Sequence, residues 1–369
     1  MGLLFYENKE FAGGAVEENA IKAVHFGGEL LWPHVPIVIT VDTSISPIIT
    51  VRNISGYVVS WGDGISDLAT DNIISHTYSS TKLYDIKING LNHFPDYFLF
   101  EQKNVIEINT SIKVVGIGYQ AFYNCASISV FKADLSLTTR VDFAAFSYAF
   151  KEGSHIELNF SNKDVVFAQR IFAFSKIYKV TIKPTSTTNV STSMFLNCLE
   201  LKEVYLGKVS LFDYEAFCNC SSISVFKADL STTTGVGYCA FSNAFKKGSH
   251  VELNFSCAGI LVSQASFANS SVYKITINPT VGYSLSASEF SGCSELIEID
   301  LGQPLSFGYA PMDGCVGLQT VRLHTLIPPL YAPNIPKNLL QSIFVPASSL
   351  LAYKSAPNWV NYADYMRGF

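Results

Sequence analysis

Short stretches in which hydrophobic and polar residues alternate recur along most of the chain. Examples are LKEVYL at Leu201–Leu206, VYKITI at Val272–Ile277, LIEIDL at Leu296–Leu301 and LQTVRL at Leu318–Leu323. Period-two alternation that is rich in β-branched residues predicts a strand with one buried face. The recurrence therefore predicts many short strands rather than a few long elements.

A repeat underlies this pattern. Each unit carries an aromatic residue or Met, which we call the marker: Phe122, Phe146, Phe172, Phe195, Phe217, Phe241, Phe267, Phe290 and Met312. The steps between markers are 24, 26, 23 and 22 residues, and the same four steps then recur. Residues Ala121–Ser161 and Ala216–Ser256, offset by 95, are identical at 31 of 41 positions. The chain thus contains a duplicated block of four units, each as long as a leucine-rich repeat.

The units resemble the BspA-like leucine-rich repeats of bacterial surface proteins. The resemblance rests on an aromatic residue or Met followed three positions later by Cys, at Ala121-Phe122 with Cys125, Phe195 with Cys198, Ala216-Phe217 with Cys220, Phe290 with Cys293 and Met312 with Cys315. The segment Phe344–Met366 is similar to the closing segment of that family. The resemblance covers roughly residues 100–369 and implies a solenoid whose units share one apolar interior.

The front of the chain has a different character. WGDG at Trp61–Gly64, HTY at His76–Tyr78 and the alternating Leu83–Ile88 resemble a PKD-type domain, a small immunoglobulin-like β-sandwich common in extracellular bacterial proteins. Before it, Ala20–His34 predicts two short strands joined across Gly27-Gly28. Such a hairpin also resembles N-terminal pieces of phage-tail and mobile-element proteins.

These observations predict a fold class and its divisions. We expect a leucine-rich-repeat solenoid, mainly β with short helical turns, preceded by a small Ig/PKD-like β-sandwich. Residues 1–35 are expected to form an N-terminal hairpin segment, residues 36–92 the sandwich, and residues 93–369 the solenoid with a C-terminal cap. At 369 residues the chain is longer than one compact core usually allows, which also favours an array.

Charge and hydropathy narrow the range of partners. The 25 basic and 30 acidic residues are scattered, which disfavours nucleic acid and anionic membranes as partners. Membrane insertion is not expected, because no apolar run reaches about 18 residues. The first twenty residues lack the basic start and apolar stretch of a secretory signal. Either export by that route is not used, or the signal has been removed.

The cysteines invite a metal or disulfide hypothesis. Five of the eight lie three residues after a marker, and in other units that slot holds Ala149, Ser175, Ala244 and Ser270. The slot therefore requires a small side chain, and buried free Cys serves as one. We expect these cysteines to be structural and predict no metal.

Catalytic motifs are also missing. His155 and His250 occupy equivalent positions of the duplicated block, and the sequence contains neither HExxH nor GxSxG. Gly116-x-Gly118 and Gly235-x-Gly237 lack the remaining residues of a phosphate loop and are interpreted as turns. The sequence predicts neither an enzyme nor a cofactor.

The predicted binding surface is the outward side of the stacked strands. Alternation leaves every second side chain exposed, and the candidate partner-binding residues are Lys132, Asn159, Lys179, Glu203, Tyr205, Lys227, Asn254, Lys274, Glu298, Asp300, Arg322 and Phe344. Only Tyr205 and Phe344 are aromatic, so this face has no run of sugar-stacking rings. A protein or peptide is the expected partner.

Two functional hypotheses follow. The first, implied by the resemblance, is a non-catalytic adhesion protein at the bacterial cell surface or secreted, whose partner is a host or extracellular-matrix protein. The second, suggested by the Ala20–His34 hairpin and the lack of an export signal, is a structural component of a phage tail or mobile element.

Overall fold

The structure is a computed structural model that describes residues 24–26, 29–32, 36–183, 187–257, 260–277 and 282–369. Its N-terminal part contains β1 (Val24–Phe26), β2 (Glu29–Trp32), β3 (Ile37–Asp42), β4 (Ile48–Arg52), β5 (Val58–Ser60), β6 (Ser66–Leu68), β7 (Ile73–Thr77) and β8 (Leu83–Ile88). Strands β1 and β2 pair antiparallel. The Gly27-Gly28 turn predicted between them lies outside the described residues.

Two sheets make up the part of the chain from β3 to β8. Strands β6, β5, β8 and β3 lie side by side, and β4 pairs antiparallel with β7. Trp61 is fully buried, and its ring stacks on that of His76 at 4.9 Å. The WGDG segment turns sharply because Gly62 and Gly64 adopt positive φ, and the Asp63 carboxylate contacts His76 Nε2 at 2.7 Å. These residues hold a turn together, and assignment to the PKD class stays a prediction.

Within the described residues, the repeat region contains twenty strands. They are β9 (Val105–Lys113), β10 (Gly116–Ile117), β11 (Val130–Asp134), β12 (Arg140–Val141), β13 (Ile156–Phe160), β14 (Val166–Phe167), β15 (Ile177–Ile182), β16 (Thr188–Val190), β17 (Glu203–Phe212), β18 (Val225–Asp229), β19 (Gly235–Val236), β20 (Glu252–Phe255), β21 (Leu261–Val262), β22 (Lys274–Ile277), β23 (Tyr283–Leu285), β24 (Glu298–Asp300), β25 (Pro304–Phe307), β26 (Thr320–Arg322), β27 (Ser342–Val345) and β28 (Met366–Gly368).

These strands form two parallel stacks on different sides of a solenoid. One stack carries the strands predicted from the alternating pattern, such as β13, β15, β17 and β18 in succession. The second carries short strands such as β10, β12 and β14. Strand β17 is long enough to take part in both stacks. The mainly β solenoid that the repeat predicts is confirmed.

The N-terminal part and the solenoid share one sheet. Strand β3 pairs antiparallel with both β8 and β9, and β9 pairs parallel with β11. The chain between β8 and β9, where the sequence predicts a division at residues 92 and 93, therefore connects two neighbours of the same strand. The exposed face of this sheet continues without a break from one part to the other.

Marker turns occupy the remaining side of each coil and form a backbone ladder. Residues two positions before and two positions after every marker have positive φ, as do Gln120 and Asn124 around Phe122. The N–H of Phe122 donates to the carbonyl of Ala145 in the next coil at 2.8 Å, and Phe195 donates to Ala216 at 2.9 Å. From Phe122 to Phe290, the marker and both left-handed residues all donate to the following coil.

This ladder corrects the expectation of short helical turns. An α-helix bonds each N–H to a carbonyl four residues earlier in its own coil. Here the left-handed residues lie four positions apart, as at Gln120 and Asn124, and every second N–H group, such as that of Phe122, bonds to the next coil. Within the described residues, helices occur only in the C-terminal cap, as α1 (Leu350–Ser355) and the 3₁₀ helices Ala347–Ser349 and Val360–Tyr365.

The structure also contains a coil that the marker pattern does not include. Leu99 lies 23 residues before Phe122, between Tyr97 and Glu101, which both have positive φ. Its N–H donates to the carbonyl of Ala121 at 2.7 Å, as a marker does. The ladder therefore begins one coil earlier than the sequence predicts. The marker pattern does not include this coil because its central residue is Leu instead of Phe.

The first coil is capped by the end of β4. Its outward carbonyls belong to Asp96, Phe98 and Phe100, which have no earlier coil to accept from. The Asn53 side-chain amide donates to Asp96, the Arg52 N–H donates to Phe98, and the Arg52 guanidinium donates to Phe100 at 3.1 Å. Two consecutive residues thus satisfy the end of the ladder.

The marker rings form the axis of the apolar core. Consecutive rings from Phe122 to Phe290 stack with centroids 4.8–5.6 Å apart and planes within 12° of parallel. All of them are buried, as is Met312. Each coil covers the marker rings of its two neighbours, so removing one coil would expose both of those rings.

Cysteine in the repeat serves as a buried hydrogen-bond donor. The thiol of Cys198 donates to the carbonyl of Phe172, the marker of the preceding coil, at 2.9 Å. The same bond, at 2.9–3.0 Å, joins Cys125 to Leu99, Cys220 to Phe195, Cys293 to Phe267 and Cys315 to Phe290. All eight cysteines of the chain are free. The slot selects a small side chain, and Cys adds a bond that Ala cannot make.

Close contact between coils predicts that alanine substitutions at Gly116 and Gly118 change the stability of the fold by different amounts. A Cβ on Gly118 would lie 2.5 Å from the Asp96 backbone nitrogen, whereas a Cβ on Gly116 would have its nearest neighbour at 3.8 Å. We expect Gly118→Ala to destabilise the fold by about 1–3 kcal/mol through overpacking. Gly116→Ala should stay within about 0.5 kcal/mol of the parent chain. Urea unfolding followed by circular dichroism measures both, and equal midpoints would contradict the close approach.

Thiol reactivity tests the packing of the cysteines. Only Cys239 and Cys257 are partly exposed, and burial raises the pKa of the Cys125 thiol to about 12. Because the thiolate is the reactive form, we expect Ellman's reagent at pH 8 to modify two thiols in the folded chain, Cys239 more slowly than Cys257 because burial also raises the pKa of Cys239, and all eight thiols in denaturant. A chain with Cys239→Ser and Cys257→Ser serves as the control and should show no fast phase. Rapid modification of more than two thiols would contradict the buried column.

Candidate functional site

The predicted binding residues lie on one surface, which we call the sheet face. It is formed by the outward side chains of the long strands, among them Glu203 and Tyr205 of β17. The register places Lys179 beside Glu203, and Tyr205 beside Lys227. All twelve predicted residues are exposed or half-buried. The structure thus brings together residues that are up to 212 positions apart in the chain.

An ion-pair cluster occupies the middle of the sheet face. The Lys179 ammonium lies 3.2 Å from a Glu157 carboxylate oxygen and 3.5 Å from one of Glu203. The bond to Glu157, followed by the attraction of both carboxylates, raises the pKa of Lys179 above its ordinary value. The Tyr205 hydroxyl donates to Glu203 at 3.2 Å. Three strands are therefore connected through their outward side chains.

Tyr205 is the aromatic centre of this cluster. Three ammonium groups, from Lys179, Lys183 and Lys227, lie 5.7–5.9 Å from the centre of its ring. Such cation–π contacts are each worth about 0.5–1 kcal/mol at exposed sites. The ring is half-buried, so it presents a fixed apolar surface surrounded by positive charge.

The second copy of the duplicated block carries a related cluster. Lys274 and Glu298, which lie 95 residues after Lys179 and Glu203, are 3.4 Å apart. Arg322 reaches the same Glu298 carboxylate at 3.3 Å, and its guanidinium lies 4.5 Å from the centre of the Phe344 ring. The sheet face therefore presents two clusters of similar chemistry, separated by four coils.

The chemistry of the sheet face suits recognition. The carboxylates of Glu157, Glu203 and Glu298 pair with lysine or arginine. Exposed pairs of this kind contribute little to stability. They do hold long side chains in one conformation before a partner arrives. Within the described residues, no group of three or more His, Cys, Asp or Glu side chains is close enough to hold a metal ion.

Glu289 is a titratable group buried inside the solenoid. Its side chain has no solvent contact, Oε1 accepts the Ser286 N–H at 2.6 Å, and Oε2 has no hydrogen-bond partner. Burial raises the pKa of the carboxyl to about 9, although the Ser286 N–H counteracts part of the increase. The carboxyl is therefore protonated at neutral pH. Its enclosure leaves no access for a substrate.

A second candidate surface, which the sequence analysis missed, lies along the marker turns. We call it the turn edge and define it by the residues three positions before the markers, among them Tyr119, Phe143, Tyr214, Tyr238 and Tyr309. Tyr119 and Phe143 stack at 5.3 Å, and Tyr214 and Tyr238 stack at 5.2 Å. Tyr309 is 84% exposed.

Further aromatic rings adjoin the turn edge over the first coils. Tyr97 contacts Tyr119 at 5.2 Å and Phe100 at 5.6 Å, and further rings continue from Phe100 along the neighbouring coils. The sequence signal for this surface is the aromatic residue three positions before a marker. Period-two alternation does not reveal this signal, because it identifies exposed residues on strands and not on turns.

The two parallel stacks and the marker turns define a leucine-rich-repeat solenoid. The chain belongs to the BspA type leucine rich repeat region family, whose model matches in 6 copies over residues 66–149, 95–224, 146–246 and 230–328. A search of curated proteins found no match. The resemblance inferred from the Phe and Cys spacing is thereby confirmed for the repeats, whereas the PKD-type domain remains a prediction.

Two solved bacterial structures are similar to this chain. One is a leucine-rich repeat protein from Bacteroides ovatus ATCC 8483, with 15% identity over 80% of this chain and 90% of that chain, at a TM-score of 0.39. The other is a leucine rich cell surface protein from Faecalibacterium prausnitzii A2-165, with 17% identity over 70% of this chain and 84% of that chain, at a TM-score of 0.30. Within the part of the chain that the structure describes, no helix is long and apolar enough to cross a membrane.

The buried carboxyl predicts a pH-dependent gain in stability for Glu289→Gln. The folded chain keeps Glu289 protonated up to a pH of about 9, whereas the unfolded chain ionises it near the ordinary value of 4.5. Between these values the parent fold loses stability as pH rises, at about 1.4 kcal/mol per pH unit. Glutamine has no such loss, so the variant should be more stable by about 3 kcal/mol at pH 7.

Urea unfolding at pH 4.5, 7 and 8.5 measures this difference. We expect the two chains to be closest at pH 4.5 and to diverge as pH rises. Ser231→Ala, which removes a hydrogen bond to the exposed Asp229 carboxylate, is the control and should not reproduce this divergence. A constant difference between Glu289→Gln and the parent chain at all three values would contradict the raised pKa.

Proposed function

We propose that the protein is a non-catalytic binding protein that uses the sheet face to hold a protein or peptide partner. The observation that carries this proposal is the ion-paired cluster around Tyr205, repeated in related form around Glu298. Extended surfaces of stacked repeats are the usual contact area of solenoid proteins. Tyr and Arg, which these clusters supply as Tyr205 and Arg322, are among the residues enriched in interface hot spots.

Preorganisation supports this role. Binding normally costs about 0.5–1.5 kcal/mol for each flexible side chain that becomes immobilised. Lys179 is already held by two carboxylates, and Arg322 is held between Glu298 and Phe344. A partner that meets these side chains therefore encounters groups that have lost part of their freedom. Mixed charge favours a protein surface over a polyanion.

The proposal extends to location and partner class. Membership in the BspA-type family supports a place at the bacterial cell surface or outside the cell, in a role of adhesion to a host or extracellular-matrix protein. We assign residues 36–92 to a PKD-type unit that also serves as the N-terminal cap, as the contacts of Arg52 and Asn53 with the first coil support.

A triple variant tests the sheet face. We expect Glu203→Ala, Tyr205→Ala and Arg322→Ala together to weaken binding by at least about tenfold, or 1.4 kcal/mol, because both clusters lose their central contacts. The measurement is surface plasmon resonance against a panel of purified extracellular-matrix proteins. Any matrix protein that binds the parent chain is then tested with the variant.

A matched control separates the sheet face from the rest of the surface. Glu152→Ala, Lys247→Ala and Tyr331→Ala replace similar side chains that are exposed away from the long strands. This control should bind like the parent chain. Equal affinities of the sheet-face variant and the parent would remove the sheet face as the binding site, and so would equal losses in both triple variants.

A further inference from the structure

The turn edge carries aromatic pairs at a regular interval. Tyr119 and Phe143 form one pair, and Tyr214 and Tyr238 form the other, with planes 18° and 23° apart. The second pair follows the first by 95 residues, and Tyr309 stands at the same interval after Tyr214. The duplication has thus preserved aromatic character at these positions. Neither pair belongs to the buried core.

The rings of each pair are slipped over one another. Carbon atoms in contact lie about 3.5–4.0 Å apart, so nearly parallel rings whose centroids are 5.2–5.3 Å apart overlap only partly. Part of a ring face stays open to solvent, and Tyr119, Tyr214 and Tyr238 are 36%, 44% and 41% exposed. Each pair is therefore a small apolar platform with at least one tyrosine hydroxyl group at its edge.

The interval between pairs suits a ligand that itself repeats. Neighbouring strands are separated by about 4.8 Å, so four coils place the two platforms about 19 Å apart. A polysaccharide presents an apolar C–H face on each of its sugar rings, and this face repeats along the polymer. Aromatic side chains pack against such faces. A peptide of mixed sequence offers no matching repetition. Regular spacing on the protein therefore favours a polysaccharide.

Polar groups beside the platforms indicate an uncharged polymer. Asp96 accepts the Tyr119 N–H, Asp213 accepts the Tyr214 N–H, and Glu215 follows Tyr214 directly. Carboxylates accept hydrogen bonds from sugar hydroxyls but repel sulfate and uronate groups. The nearby cation Arg140 is itself held by an aspartate at 2.6 Å. An acidic polysaccharide would meet unfavourable charge here.

We propose that the turn edge is a second binding surface, separate from the sheet face, and that it binds a neutral polysaccharide by stacking sugar rings on the pairs Tyr119/Phe143 and Tyr214/Tyr238. This surface and the sheet face lie on different sides of each coil, so one solenoid has room for both partners at once. The proposal does not depend on the protein-binding role of the sheet face.

Native gel electrophoresis in gels that contain a soluble polysaccharide tests this proposal. The probes are hydroxyethylcellulose, galactomannan and xyloglucan, which are neutral, and alginate, which is acidic. We expect at least one neutral probe to retard the parent chain and alginate to have no effect. Tyr214→Ala with Tyr238→Ala should weaken the retarding interaction about tenfold, and so should Tyr119→Ala with Phe143→Ala.

Two controls make the result specific to the turn edge. Tyr205→Ala removes an aromatic ring from the sheet face and should leave the retardation unchanged. Tyr214→Phe with Tyr238→Phe keeps the rings and should retain most of the binding, which separates loss of stacking from loss of folding. Thermal unfolding of each variant confirms that it is folded.

The outcomes that would overturn the proposal are distinct. One is a parent chain that none of the three neutral probes retards. Another is equal retardation of the parent and both alanine pairs. In a third outcome, no polysaccharide binds, but the parent chain binds a labelled decaproline peptide and the alanine pairs do not, which would assign the turn edge to a peptide ligand. Loss of retardation in Tyr205→Ala alone would place the sugar on the sheet face instead.

Discussion

The hydrogen bonds between marker turns are the constraint on which the rest of this structure depends. Each coil from Leu99 to Phe290 donates three backbone N–H groups to the next coil, which requires two left-handed residues around its central residue. For residues other than Gly, that conformation costs about 1–2 kcal/mol. Among the eighteen such positions around the nine markers, Gly occurs only at Gly292 and Gly314. The bonds between coils and the buried rings must offset this cost, so a single coil has no stability of its own.

Much of the architecture could be predicted because repetition makes weak signals add up. One alternating hexapeptide predicts a strand poorly, whereas the spacing of nine markers predicted parallel coils, and the phase of alternation placed twelve outward residues on one face. The first coil escaped prediction because Leu99 has a different side chain in the same backbone role. The turn conformation was signalled only in part. Of the nine left-handed positions two residues after a marker, five are Asn and two are Gly, which favour this conformation, whereas residues such as Ala144 and Arg170 two positions before a marker carry no local sign of it.

Surface chemistry was harder to predict than fold for a related reason. A face defined by strands can be derived from period-two alternation, so Glu203 and Tyr205 were identified. The side chains on turns follow no period within a coil, and their neighbours come from other coils. Stacking of Tyr214 on Tyr238 follows from a contact between residues 24 positions apart, and only the superposition of whole coils reveals it.

The one-directional ladder and its cap at Arg52 and Asn53 give the array a polarity with consequences for its history. Because every coil offers the same donors forward and the same acceptors backward, a block of complete coils can be inserted between two others without any new complementary surface. The 95-residue duplication is an insertion of that kind. Adding such a block lengthens the molecule and at the same time multiplies whatever motif its surface carries. In this fold, a duplication of coils therefore increases the number of binding sites directly, and a second site does not have to evolve independently.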